Sequence, residues 1–324
     1  MPPVVQANKV DDCVQKDQTD ARTMAITWGA TLANEGVKSS NARAARAQWI
    51  LAGRCYRQAA QIDPTDSEAF SGWGMALSLE AWVLGRTDLT AARAMFRQTG
   101  QKFEQALKLD PRNASAAFQW GIALSDEAKA LADAVPSDLA GASILWKQAR
   151  QKYALGLQLD PSDVKIVDNW GGTFAIEAGA LAASNLPAAR ELWKQAYDRF
   201  EVAVRIDPKF VQASNNFAAA MLQELAALLK ASPELRYQAD SEMIDLLQKV
   251  KKILLALENN AAGDGAYNLA CMYALEGQAT DAMQLLERSA VAGKLPEKSH
   301  IASDSNLDSL RNTPAFRAWF EKLP

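Results

Sequence analysis

Residues able to do acid–base or nucleophilic chemistry are few in this sequence. His300 is the only histidine, and it stands beside Lys298 and Ser299 in a stretch read as loop. Cys13, Cys55 and Cys271 are far apart, odd in number and form no C-x-x-C pair. That usage predicts separate, reduced thiols in a cytoplasmic setting. No His/Cys spacing suits a metal, and no Ser/His/Asp or Cys/His set assembles from spacing. A phosphate loop would have to follow a strand, and no alternating run reads as one. The expectation is a chain that is not an enzyme and takes no cofactor or metal.

One ionisable set does recur. Glu35, Glu80, Glu127, Glu177, Glu224 and Glu276 are spread along most of the chain, and Arg46, Arg93 and Arg190 recur between them, with Ser143 where a fourth would fall. Arg97, Lys147 and Lys194 lie one turn further on. This spacing predicts a ladder of carboxylate–cation pairs between long helices, fixing their register; the alternative is an acidic stripe that attracts a basic or metal-bearing partner.

The elements that would carry the ladder repeat with it. Ile62-Asp63-Pro64, Leu109-Asp110-Pro111, Leu159-Asp160-Pro161 and Ile206-Asp207-Pro208 put successive prolines 47, 50 and 47 residues apart. Trp73-Gly74, Trp120-Gly121 and Trp170-Gly171 follow the first three prolines by nine residues, Phe217-Ala218 holds that place after Pro208, and Trp28-Gly29 anticipates the series. Fifteen residues before the prolines stand Trp49, Phe96, Trp146 and Trp193; eight before them stand Tyr56, Phe103, Tyr153 and Phe200. The reading is paired helices of about 20 residues, about 30 Å each at 1.5 Å per residue. Their aromatics, the tryptophans included, form the core, and each pair closes at an Asp-Pro stop.

Number each repeat from the third residue after its opening proline. The bulky residue and glycine then fall at positions 7 and 8. Counted back from the closing prolines, the aromatic takes position 24, and Ala59, Ala106, Gly156 and Ala203 take position 27. This resembles the tetratricopeptide repeat, across about residues 15–292. The family repeat has about 34 residues; the extra length here lies between the two helices of each pair. The resemblance implies an all-α, right-handed α-solenoid of stacked antiparallel helix pairs. Its expected divisions are a disordered lead (1–10), repeats at 11–64, 65–111, 112–161, 162–208, 209–260 and 261–293, and a C-terminal cap at 294–324. The cap would cover the last apolar face.

What the resemblance implies about function is a concave groove lined by first-helix positions 5, 9, 12 and 13. Position 5 is Ile26, Ser71, Phe118, Asp168, Asn215 and Tyr267; Met75 and Ile122 stand at position 9; Ser125, Asp126, Leu222 and Gln223 add positions 12 and 13. Such a surface suits a peptide or protein segment with apolar anchors. Position 5 carries no Lys and position 9 no Asn, the set by which one subclass clamps chaperone tails. A net charge of −3 speaks against a nucleic-acid surface. No apolar run of about 20 residues reads as a membrane span. The opening MPPVVQANKV does not read as a signal peptide, although a presequence already removed would leave the same chain. Two alternatives stand beside the scaffold reading. One is self-association through the Leu-rich fifth repeat (Leu246, Leu247, Ile253, Leu254, Leu255). The other is an enzyme or ligand-binding domain with an enclosed pocket.

Overall fold

The computed structural model describes residues 18–39, 41–232, 241–260 and 263–323. The expected lead, Cys13, the beginning of the helix predicted from Asp11 and that predicted from Glu234 fall outside the described residues. The described elements are helical, with no strand among them. The long ones are α1 (Gln18–Lys38), α2 (Ala42–Ile62), α3 (Ser67–Leu84), α4 (Leu89–Leu109), α5 (Ala114–Ala132), α6 (Leu139–Leu159), α7 (Val164–Leu181), α8 (Leu186–Ile206), α9 (Val211–Ala231) and α10 (Ser241–Asn260). The shorter α11 (Ala266–Leu275), α12 (Ala279–Val291), α13 (Lys298–Ser303), α14 (Asp308–Arg311) and α15 (Pro314–Glu321) follow. Two compact units are present, one ending at Ile166 and the other beginning at Val167.

Local chemistry sets the helix ends. Each second helix, α2, α4, α6 and α8, is 21 residues long. Each begins at an Asn or Asp, namely Asn41, Asp88, Asp138 and Asn185, whose side chain accepts from amides of the first turn. Each ends at the aspartate before a proline, where Asp63, Asp110, Asp160 and Asp207 have φ between −128° and −138°. Proline disfavours helical geometry in the residue before it. The freed carboxylate turns onto the amide two residues on, at 2.9 Å for Thr65, 2.9 Å for Arg112, 3.1 Å for Ser162 and 2.9 Å for Lys209. One Asp-Pro therefore stops a helix and starts the turn to the next.

Within the first unit α1 pairs with α2, α3 with α4 and α5 with α6, and α2 packs on α3 and α4 on α5. Within the second, α8 packs on α9, α9 on α10, α10 on α11 and α11 on α12. The second helices supply the large buried side chains: Trp49, Phe96, Trp146 and Trp193, then Tyr56, Phe103, Tyr153 and Phe200. The position-8 glycines make room for the second set. A Cβ on Gly121 would stand 2.5 Å from the Tyr153 ring, and one on Gly171 would stand 2.9 Å from Phe200. After Gly293, Ile301, Leu307, Leu310, Phe316 and Trp319 join the same core as Leu269 and Leu286. The tail thus buries apolar surface of the last helix pair.

Neighbouring glycines test this packing. Gly171→Ala meets a fully buried ring, whereas Gly172→Ala meets nothing within 4 Å. The first is expected to lower stability by about 1–2 kcal/mol, and the second to raise it by up to about 1 kcal/mol through helix propensity. Urea midpoints followed by circular dichroism check both; equal shifts of one sign would contradict the packing.

Candidate functional site

The recurring carboxylates and cations meet across repeat boundaries. Arg46 Nη2 on α2 lies 2.9 Å from Glu80 Oε1 on α3, with Arg46 Nε at 3.2 Å from the same oxygen. Arg93 Nε on α4 lies 3.7 Å from Glu127 on α5. Arg190 Nε on α8 lies 2.9 Å from Glu224 on α9. Each pair is separated by 34 residues and joins a second helix to the first helix of the following repeat. Glu224 also accepts from the Tyr197 hydroxyl at 2.7 Å. Burial first, and then the adjacent carboxylate, pushes the Tyr197 phenol up, so it stays protonated and donates. Glu127 is less well served: burial holds its carboxyl above the usual range, with Arg93 and Arg97 pulling the other way.

A second periodic contact was legible in the spacing but missed. Nine residues before the closing prolines stand Lys102, Lys152 and Arg199. Lys102 Nζ sits 3.8 Å from the Trp73 ring centroid, Lys152 Nζ 3.6 Å from Trp120, and the Arg199 guanidinium 4.1 Å from Trp170. The position-7 tryptophans pack against the core, as expected, but are not enclosed by it. They are half-buried, with a cation over each indole. Desolvation lowers the pKa of Lys102 and Lys152.

The expected groove residues divide by repeat. In the first unit Ile26, Met75, Phe118, Ile122 and Asp126 are half-buried, and Ser71 and Ser125 are buried. Burial raises the Asp126 carboxyl, against the pull of Lys129. The first helices touch from repeat to repeat, α1 against α3 and α3 against α5. In the second unit α9 touches α11, and the position-5 side chains bond to the next repeat or the tail. Asn216 Nδ2 donates to both Asp168 oxygens at 3.0 Å, Asn268 Nδ2 to Asn215 Oδ1 at 3.1 Å, and Tyr267 Oη to Asp304 at 2.7 Å. Leu222 has 0% of its surface exposed and belongs to the core cluster, so it lines no surface; Gln223 beside it is exposed. Tyr267 is likewise buried, with His300 against its ring. Of the Leu-rich face in the fifth repeat, Leu254 is fully buried, Leu246, Leu247 and Ile253 pack against the core, and Leu255 is exposed. That stripe is mostly consumed in holding α10 to the array.

Cys55 and Cys271 are buried and in no disulfide, and burial raises Cys271 well above the ordinary thiol range. Among the described residues no group of three or more His, Cys, Asp or Glu is placed to hold a metal ion. No described helix is long and apolar enough to cross a membrane.

Helix pairs of this pattern, stacked through aromatic–glycine contacts, define a tetratricopeptide-like repeat fold. The chain is similar to the solved structure described as the functional characterization of Pseudomonas aeruginosa PilF. That match has a TM-score of 0.51 and 12% identity, and covers 91% of this chain and 99% of that one. The human IFIT1 dimer with PPP-AAAA matches with a TM-score of 0.26 and 17% identity, over 76% of this chain and 69% of that one, too low a similarity to bear on function. No family model and no curated protein matches the sequence.

Two measurements test the polar contacts. Burial pushes Asp168 up to about 6, so the folded state holds its proton more tightly than the unfolded chain. Its contribution is therefore fully present at acid pH and is lost as pH rises from about 4 to about 6. Asp168→Asn should gain on wild type over that interval by on the order of 2 kcal/mol at pH 7, read from urea unfolding at several pH values. Tyr197→Phe, which removes a donor to a buried carboxylate, should lose about 1.5–3 kcal/mol in the same assay.

Proposed function

We propose that the protein is a non-catalytic scaffold holding a segment of another protein along the first-helix face of its first repeats. One observation carries the reading. The helices α1, α3 and α5 are neighbours in sequence of contact, and each brings a position-5 or position-9 side chain that core packing leaves half-exposed: Ile26, Met75, Phe118 and Ile122. A row of half-exposed apolar anchors is a surface for an extended or helical segment. The buried thiols fit a reducing, cytoplasmic setting.

The double variant Met75→Glu/Ile122→Glu places two charges on that row. Capture from native lysate with wild type and variant, quantified by mass spectrometry, should show one partner retained by wild type and depleted about tenfold or more by the variant, a loss of about 1.4 kcal/mol or more. Circular dichroism of the two proteins should coincide. Identical partner sets with folding intact would overturn the reading. A solution mass well above 35.2 kDa, sensitive to the same substitutions, would point to a second copy as the occupant.

A further inference from the structure

The repeats of this chain can be compared position by position, and one of them carries a tyrosine beside its ladder carboxylate where two others carry glycine. In the second unit the ladder carboxylate Glu224 stands beside Phe217, and Tyr197 fits between them. Its ring lies 5.6 Å from the Phe217 ring, and its hydroxyl donates to Glu224 Oε2 at 2.7 Å while Arg190 donates to Oε1 at 2.9 Å. Both carboxylate oxygens are served.

The same register in the first unit gives Trp120 for Phe217, Glu127 for Glu224, Arg93 for Arg190 and Arg97 for Lys194. Where Tyr197 stands, eleven residues before the closing proline, there is Gly100. A cleft of about 280 Å³ is found there, lined by Arg93, Phe96, Gly100, Trp120, Glu127 and Leu145 among others. A Cβ on Gly100 would have the Trp120 Nε1 as its nearest neighbour, at 3.6 Å. The position is thus open toward the indole's polar edge, while Lys152 covers the ring at 3.6 Å from its centroid. Glu127 keeps 15% of its side chain exposed, and Arg93 approaches only to 3.7 Å, beyond hydrogen-bond length. A half-buried carboxylate with its cation at that distance has acceptor capacity to spare toward the cleft. Gly53 holds the equivalent place one repeat earlier, but there Glu80 already accepts from two nitrogens of Arg46, at 2.9 and 3.2 Å.

We infer that the cleft between α4, α5 and α6 is a binding site for a phenol, whose ring lies against Trp120 and whose hydroxyl donates to Glu127 as the Tyr197 hydroxyl does to Glu224. The site is separate from the proposed groove. At 100° per residue, Phe118, Ile122, Ser125 and Asp126 occupy one face of α5, and Trp120, Ala123, Leu124 and Glu127 the opposite one. The phenol is presented either as a small free molecule or on a tyrosine side chain.

The test uses the full chain and p-cresol as probe, following the Trp120 indole N–H by NMR, assigned with Trp120→Phe. Wild type should show a saturable shift of that signal. Toluene, the same ring with no hydroxyl, should bind at least about tenfold more weakly, the loss of one hydrogen bond to a charged acceptor. Gly100→Tyr, which supplies the missing side chain from within, should abolish the response, and Gly100→Ala should keep it. If Gly100→Tyr does not fold, Glu127→Leu serves instead and should erase the preference for p-cresol over toluene. Met75→Glu/Ile122→Glu should leave the p-cresol shift unchanged, so failure of the groove reading is distinguishable from failure here. N-acetyl-tyrosinamide then separates the sources: binding comparable with p-cresol assigns the site to a tyrosine side chain, exclusion to a free phenol. No saturable shift in wild type, equal affinity for toluene, or an undiminished response in folded Gly100→Tyr would each overturn the inference.

Discussion

Everything in this fold rests on how closely a position-8 glycine lets a position-24 ring approach. At Gly121 the space that a methyl group would need is already occupied by Tyr153, and at Gly171 by Phe200. Those rings are fully buried. Their burial supplies much of the hydrophobic driving force of each pair, and their position fixes the pair's register. Once the register is fixed, the remaining contacts follow at constant spacing. A cation settles over the indoles of Trp73, Trp120 and Trp170, and a guanidinium on α2, α4 and α8 reaches the carboxylate of the next repeat.

Two opposite faces of the first helices result, and they have different characters. One carries the ladder carboxylates and is shared with the preceding second helix. The other carries positions 5, 9, 12 and 13 and is left to face outward or toward a neighbouring first helix. In the first unit that second face retains half-exposed apolar side chains. In the second unit Asp168–Asn216, Asn215–Asn268 and Tyr267–Asp304 use it to tie one repeat to the next. A surface closed by internal hydrogen bonds has little left to offer a partner, so the proposed scaffold role is concentrated in the early repeats.

The sequence made most of the architecture legible because the determinants are local or periodic. The Asp-Pro stops, the Asn and Asp caps and the ring–glycine pairs depend on neighbours at fixed offsets. The three resolved rungs of the ladder were readable for the same reason. What escaped were the contacts made between particular repeats, and the cations over the position-7 indoles. Asn216 donates to Asp168 from 48 residues away, and Asn268 to Asn215 one repeat later; both bonds need a polar acceptor at position 5, which Ile26 and Phe118 do not supply. Leu222 and Tyr267 were assigned to the groove by position alone, and their burial reflects the irregular fifth repeat and the tail, which pack where a regular repeat would leave space. Trp49, Trp146 and Trp193 are core as their helical spacing suggests, whereas Trp73, Trp120 and Trp170 pack against the core with a cation over the indole.

The ladder also has a sense along the chain. Each guanidinium belongs to the earlier repeat and each carboxylate to the later one, always 34 residues downstream. In these three rungs, then, a first helix emerging during synthesis brings its acid to a base that the chain has already made.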